Sequence, residues 1–149
     1  MRFKVMDFSE ATLLIVDCDK KIRLCDLTKK KKWFFGRETS SVHPDIPVKS
    51  GIVSRDHGEF VCTEGQWFYI DHGGKNGTFI NGEKISGGKG KRQYPVLLND
   101  GDMLRVDYSD LSDPDGRGVF ILYSEKRITD IKEAEVFFRD KASSGQGVT

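Results

Sequence analysis

The chain has 149 residues, 37% of them hydrophobic and 32% charged, with a formal net charge of +1. That length fits one domain around a single core, and the balance lacks the marked basic excess of a general nucleic-acid binder. No apolar run is long enough to span a membrane as a helix, and Met1 to Asp7 lacks the apolar centre of a secretion signal. Cys18, Cys25 and Cys62 are odd in number and irregular in spacing, which argues against a disulfide framework or a zinc site. The expectation is reduced thiols, a cytoplasmic location and no metal or cofactor.

In chain order the sequence predicts short strands separated by turn signals, the pattern of a β-sandwich. Ala11 to Asp17 is the first apolar run, and Cys18-Asp19-Lys20 reads as a hairpin turn. Lys21 to Leu27 alternates, with Ile22 and Leu24 on one face against Arg23 and Cys25. Thr28 to Lys31 is a second turn, which makes Lys29 to Lys32 a solvated tip. Trp33-Phe34-Phe35 leads into Gly36-Arg37, and Glu38 to Pro47 is a loop. Ile46 and Val48 suggest a short strand ending at Ser50-Gly51. Glu59 to Thr63 and Gln66 to Asp71 are strands joined at Glu64-Gly65, with the alternation of one buried face. After a turn at His72 to Gly77, Thr78 to Ile80 and Lys84-Ile85 pair across Asn81-Gly82, a strong type I′ hairpin signal.

Ser86 to Arg92 is a Gly/Lys-rich loop of low expected order. Tyr94 to Leu98, Met103 to Val106 and Val119 to Tyr123 are the remaining strands, with a turn at Asn99 to Asp102 and a polar excursion over Tyr108 to Gly118. The fold class is therefore all-β, a sandwich of about eleven mostly antiparallel strands. Asp130 and Glu133 fit a helix start in which Glu133 reaches back to the cap. Ile131, Ala134 and Phe138 then share a face with Phe137 beside it. The domain reading is an N-terminal extension over 1–10, a sandwich over 11–124, and a helix with a disordered tail over 125–149. Phe3 and Phe8 are expected to pack.

Three runs at strand junctions carry the chemistry: Gly36-Arg37, Ser54-Arg55-Asp56-His57, and Asn76 to Gly82. They offer two guanidinium charges, a hydroxyl, a side-chain amide and a tight turn. None forms a nucleophile–base–acid set, and none has metal-ligand spacing. An arginine fork gives paired donors to phosphate oxygens, and a side-chain amide pairs with a peptide main chain regardless of sequence. The set suits holding a phosphate beside a peptide backbone. Gly36 is expected to permit a sharp turn. His43 and His72 have no evident partners and read as exposed loop residues.

With these motifs in order, the chain resembles a forkhead-associated (FHA) domain from about Ala11 to Tyr123. The resemblance implies a phosphothreonine-binding sandwich that is not an enzyme. Carried over position by position, it puts Arg37, Ser54 and Arg55 on the phosphate and Asn76 on the peptide backbone. It gives Gly36, His57, Gly77, Thr78 and Asn81 the work of supporting the loops. His57 beside Ser54 and Asp71 suggests catalysis only superficially, because no nucleophile elbow surrounds Ser54. The loop 38–45 and Lys75 are expected to choose flanking residues. Gly74 stands where relatives carry Ser, which removes a hydroxyl and loosens the loop. Lys75 either adds charge beside the phosphate or points into water. Asp56 is expected to pair with an arginine in the free state.

The function implied is a phosphothreonine-dependent protein-interaction module in Ser/Thr kinase signalling. Its partner is a phosphothreonine-containing protein or peptide, with no membrane partner and a monomeric state. The alternatives are a phospho-independent docking or self-association domain with a degenerate pocket, and a nucleic-acid binder using Lys29 to Lys32 and Lys84 to Arg92. The lysines sit at hairpin tips without interleaved aromatics, which disfavours nucleic acid.

Overall fold

β-branched and aromatic side chains suit a pleated, half-buried surface, and the strands of this chain are rich in them. The computed structural model describes residues 10–85, 94–107 and 116–143. Within them lie β1 (Thr12–Val16), β2 (Ile22–Asp26), β3 (Lys32–Arg37), β4 (Ile46–Val48), β5 (Gly58–Thr63) and β6 (Gln66–Asp71). There follow β7 (Gly77–Ile80), β8 (Glu83–Lys84), β9 (Val96–Leu97), β10 (Met103–Asp107), β11 (Val119–Ser124) and α1 (Ile131–Ser143). Sheet one has the order β2-β1-β11-β10-β7-β8, and sheet two the order β4-β3-β5-β6-β9. All pairings are antiparallel except β3 with β4, where Gly36 lies opposite Pro47. The expected eleven-strand sandwich with one C-terminal helix is the fold observed.

The core between the sheets is built on Leu13, Ile15, Phe35, Phe60, Trp67, Tyr69, Val106 and Ile121. Burying each large apolar side chain contributes about 1.5–3 kcal/mol. Two hairpins turn through consecutive left-handed residues, Glu64-Gly65 (φ 53°, 78°) and Asn81-Gly82 (φ 52°, 83°). That is type I′ geometry, as expected at Asn81-Gly82.

The alternation rule fails on β1 and β2 for a packing reason. Leu13, Leu14 and Ile15 are all buried, because sheet one is covered on both faces. Its outer face carries Leu14, Met103 and Leu122, which pack with Ile128 and Ala134 and with Ile22, Leu24, Phe137 and Phe138. Cys25 turns the other way, onto the main core, where burial beside Asp26 and Asp45 pushes its thiol up to about 12. It is an inert packing residue.

Other local readings are revised by side-chain partners. The Asp130 carboxylate accepts from Lys132 N–H at 3.1 Å, which caps α1 as expected. Glu133 does not reach back; it pairs with Lys126 at 3.5 Å. The lysine tip is less free than expected, since Lys30 pairs with Asp45 and lies over the Trp33 ring. The readings of the N-terminal aromatics, the Gly/Lys-rich loop and the disordered tail lie outside the described residues, as does most of the polar excursion.

The strand ends that matter lie together. β3 ends at Arg37, the segment 49–57 joins β4 to β5, and 72–76 joins β6 to β7. Asp107 at the end of β10 lies opposite Gly77. Val16 at the end of β1 lies opposite Phe120, near the start of β11. Because Ala134 is fully buried against sheet one, Ala134→Asp puts an uncompensated charge in that contact. Urea unfolding is expected to show a loss of about 3 kcal/mol, with the parent's stability retained in an exposed-face control, Lys132→Asp.

Candidate functional site

The segment 49–57 has no strand partner, yet the candidate residues all connect to it. Arg37 N–H donates to the Ser54 carbonyl at 3.0 Å, and its Nε donates to the Val53 carbonyl at 3.0 Å. Asn76 Nδ2 donates to the Ile52 carbonyl at 2.8 Å. Lys75 N–H donates to Ser54 Oγ at 2.9 Å. Three consecutive carbonyls therefore aim Arg37 and Asn76, and the Ser54 hydroxyl keeps its own proton to donate. An open depression of about 510 Å³ is lined by Arg37, Val42, Ser54, Arg55 and Asp56. Among the described residues, Arg37, Arg55 and Lys75 enter no ion pair.

His57 holds the loop closed. Its Nδ1 accepts from Ser54 N–H at 3.1 Å, so the proton of the neutral ring sits on Nε2. That atom then donates to Thr78 Oγ1 at 2.8 Å. Thr78 also bonds the Tyr69 hydroxyl, which donates to Asp71 Oδ1 at 2.9 Å. The other Asp71 oxygen accepts from Gly73 N–H at 3.0 Å. His57, Thr78 and Asp71 are fully buried, so this network ties 54–57, β6 and β7 into one unit. The geometry is not that of a catalytic triad. Ser54 meets the ring with its backbone amide, and its hydroxyl faces Lys75 instead.

Two glycines are set by close approach. A Cβ at Gly36 would stand 2.0 Å from the Arg55 carbonyl oxygen. Gly36 lies inside β3 and is absent from the left-handed residues, so its role is not the sharp turn expected. It lets β3 press against the 54–55 backbone. A Cβ at Gly74 would stand 2.5 Å from Cε1 of His57. The expectation that Gly74 loosens its loop is therefore reversed, because the missing side chain seats the 72–76 turn on the imidazole. A serine there would collide with the ring unless the turn shifted.

Gly77 and Thr78 start β7 beneath the loops, where Thr78 meets His57; other side chains fall apart from the expected grouping. Asn81 lies at the far end of β7. It donates to Asp102 and accepts from Met103 N–H, each at 2.9 Å. It supports the hairpin next to the 99–102 turn, not the phosphate loops. Asp56 does not pair with an arginine. It meets His72 Nδ1, while His72 Nε2 lies 3.0 Å from Glu59. The His72 side chain is only 6% exposed, contrary to its reading as a free loop residue. His43 is exposed but contacts Glu38 at 3.3 Å. Val42 was not singled out by sequence. It joins the pocket because Thr39 Oγ1 and the Thr39–Val42 backbone bond curl the loop back, and no motif marks such a turn.

Burial, only partly opposed by nearby Asp71, pushes the His57 imidazole from its ordinary 6.5 down to about 4. An unfolded chain takes that proton near pH 6.5 and the folded one only near pH 4. The stability contributed by the neutral ring is complete above pH 6.5 and falls as pH drops toward 4. The loss corresponds to about 3 kcal/mol, read as the excess of the parent's pH-dependent decline in urea unfolding over that of His57→Asn. The glycine contacts predict a ranking. Gly36→Ala, facing rigid backbone, should cost most. Gly74→Ala, facing the ring, should cost about 2 kcal/mol. Gly51→Ala, with open space around it, should be neutral, all by thermal or urea unfolding.

These features have counterparts in known proteins. A family model for the FHA domain matches residues 33–107, 75 of the 149 positions. The E3 ubiquitin-protein ligase DMA1 of Saccharomyces cerevisiae is 36% identical over 75 residues, covering 47% of this chain and 18% of that protein. The probable E3 ubiquitin-protein ligase dma1 of Schizosaccharomyces pombe is 34% identical over 64 residues, covering 42% and 24% respectively. This chain thus spans at most 24% of either relative. Among solved structures, full-length yeast Pml1p superposes with a TM-score of 0.60 at 22% identity, over 76% of this chain and 80% of that one. The N-terminal FHA domain of S. cerevisiae Rad53p, in complex with a phosphothreonine peptide, superposes with a TM-score of 0.54 at 21% identity, over 84% and 98%. Those likenesses concern the fold, and the family match spans the loops that carry Arg37, Ser54, His57 and Asn76: the chain belongs to the FHA domain family.

Proposed function

We propose that the chain is a phosphothreonine-dependent protein-interaction module. The carrying observation is the open depression where Arg37, Ser54 and Arg55 converge with no acidic partner on either arginine among the described residues. A phosphate of charge about −1.5 to −2 matches two guanidinium groups, and the Ser54 hydroxyl donates to a third oxygen. Lys75 adds a cation beside Ser54, through whose hydroxyl its own backbone is held. Asn76 keeps Oδ1 and one Nδ2 proton for the peptide main chain. Val42 is the apolar side chain of the lining and the candidate contact for the threonine methyl. Asp56 also lines the depression and would repel phosphate, but one of its carboxylate oxygens is engaged by His72. The family and the phosphothreonine peptide bound by the Rad53p domain support this reading. It places the chain downstream of a Ser/Thr kinase and makes its partner a phosphoprotein.

Calorimetry with phosphothreonine peptides from a degenerate library and their plain-threonine counterparts tests it. The phosphorylated forms should bind with Kd on the order of micromolar, about −8 kcal/mol. Arg37→Ala should lose about 1.5–3 kcal/mol. Affinity should weaken below about pH 6 as the phosphate takes up its second proton. Equal binding of phosphorylated and plain peptides overturns the proposal.

One observation favours a second reading, docking independent of phosphate. Phe34 and Leu97, on the outward face of sheet two, are 45% and 40% exposed, whereas α1 covers sheet one. Under that reading a partner binds equally well to the parent and to Arg37→Ala, and Phe34→Ser abolishes binding.

A further inference from the structure

The 49–57 segment is held at its C-terminal end by His57, which belongs to the motif already described. Its N-terminal end is held by a residue outside the family match. Asp17, at the turn after β1, is 3% exposed. Its Oδ2 accepts from Lys49 N–H at 2.6 Å, and its Oδ1 accepts from Ser50 N–H at 3.3 Å and Cys18 N–H at 2.7 Å. Ser50, 2% exposed, donates from Oγ to the Arg117 carbonyl at 2.5 Å. Val53 N–H then donates back to the Ser50 carbonyl at 3.2 Å. The next outward bonds are those of Ile52 and Val53 to Asn76 and Arg37.

We infer that Asp17 is a positioning residue for phosphopeptide binding, setting through Lys49 and Ser50 the carbonyls that aim Arg37 and Asn76. A buried carboxylate that accepts several backbone N–H groups is a strong, directional anchor. It stands on sheet one, across the sandwich from β4 and β5, so it fixes the loop relative to β7, where Asn76 ends its own turn. Without Asp17 the amides of residues 49 and 50, between the end of β4 and the His57 anchor, lose their acceptor, and a shift of an ångström at 52–53 turns both side chains away from a common ligand. The hairpin of β1 and β2, which lies before residue 33 where the family match begins, is on this account part of the binding apparatus.

The inference rests on the phosphopeptide reading, and the test separates the two. The full chain and Asp17→Asn are titrated with a phosphothreonine peptide chosen from the library, at a temperature where near-UV circular dichroism shows both folded. The variant should bind about tenfold more weakly. The penalty should shrink to less than about threefold on an Asn76→Ala, Arg37→Ala background, since the anchor then has nothing to aim. The Nε–H resonance of Arg37, which reports its bond to Val53, should shift in the unliganded variant. A purely structural role would leave that resonance in place and the penalty undiminished. Equal affinity of parent and Asp17→Asn, or a penalty unchanged on the double background, overturns the positioning role while leaving the phosphopeptide reading standing. A parent that binds no phosphopeptide overturns both. If Asp17→Asn does not fold, Ser50→Ala frees the same end of the loop with the carboxylate retained. A loss of at least roughly threefold is then expected, and unchanged affinity overturns the proposal.

Discussion

The buried, neutral imidazole of His57 is the interaction on which the binding end depends. One nitrogen accepts from the Ser54 amide and the other donates to Thr78, so a single ring joins the 49–57 segment to β7. Only the neutral tautomer with its proton on Nε2 does both. The ring also defines the space around it, because Gly74 packs against its face and Phe35 meets it edge-on at 5.4 Å between centroids. Protonation would remove the acceptor and place a charge in a site that burial makes costly. The same group that organises the loops is therefore what makes them sensitive to acid.

Around that ring, the sandwich acts as a rigid frame for groups that belong to loops. Binding groups placed on loops of a stable scaffold are common because the loop is free to present polar atoms that a core cannot hold. Here the freedom is largely withdrawn. Arg37, Ser54, Lys75 and Asn76 each have a backbone or side-chain atom bonded to another member of the site or to the 52–54 carbonyls. What remains unbonded is the part that faces out: the guanidinium ends, a hydroxyl proton and half of an amide. Preorganisation of this kind reduces the ordering cost of binding, which matters for a site built from a few charged contacts.

The charged neighbours show how a chain of net charge +1 still presents an anion site. Asp56 follows Arg55 directly in sequence and would cancel it. His72 diverts the carboxylate, and Glu59 completes the contact on the other side of the ring. Local charge at a site is set by which groups neutralise one another, not by the sum over the chain. The opposed pair Lys30 and Asp45 does the same where the chain crosses from β2 to β3.

The motifs Gly36-Arg37, Ser54 to His57 and Asn76 to Gly77 were legible in the sequence because close backbone approach and hairpin turns admit few residue types. The same holds for Asn81-Gly82, and the alternating strands announced the sandwich. The sequence alone thus determined the family, the strand count and the cluster of candidate ligand groups. It did not determine the role of Gly36 or Gly74, since a glycine looks the same whether it turns a chain or admits a neighbour. Nor did it show that Asn81 lies away from the loops, that the His72 ring is held between two carboxylates, or that Leu13 and Leu14 are both covered. These were decided by tertiary structure: short-range patterns report a residue's own backbone, whereas Asp17 meeting Lys49, or His57 meeting Thr78, depends on which strand ends the two sheets bring to the same edge.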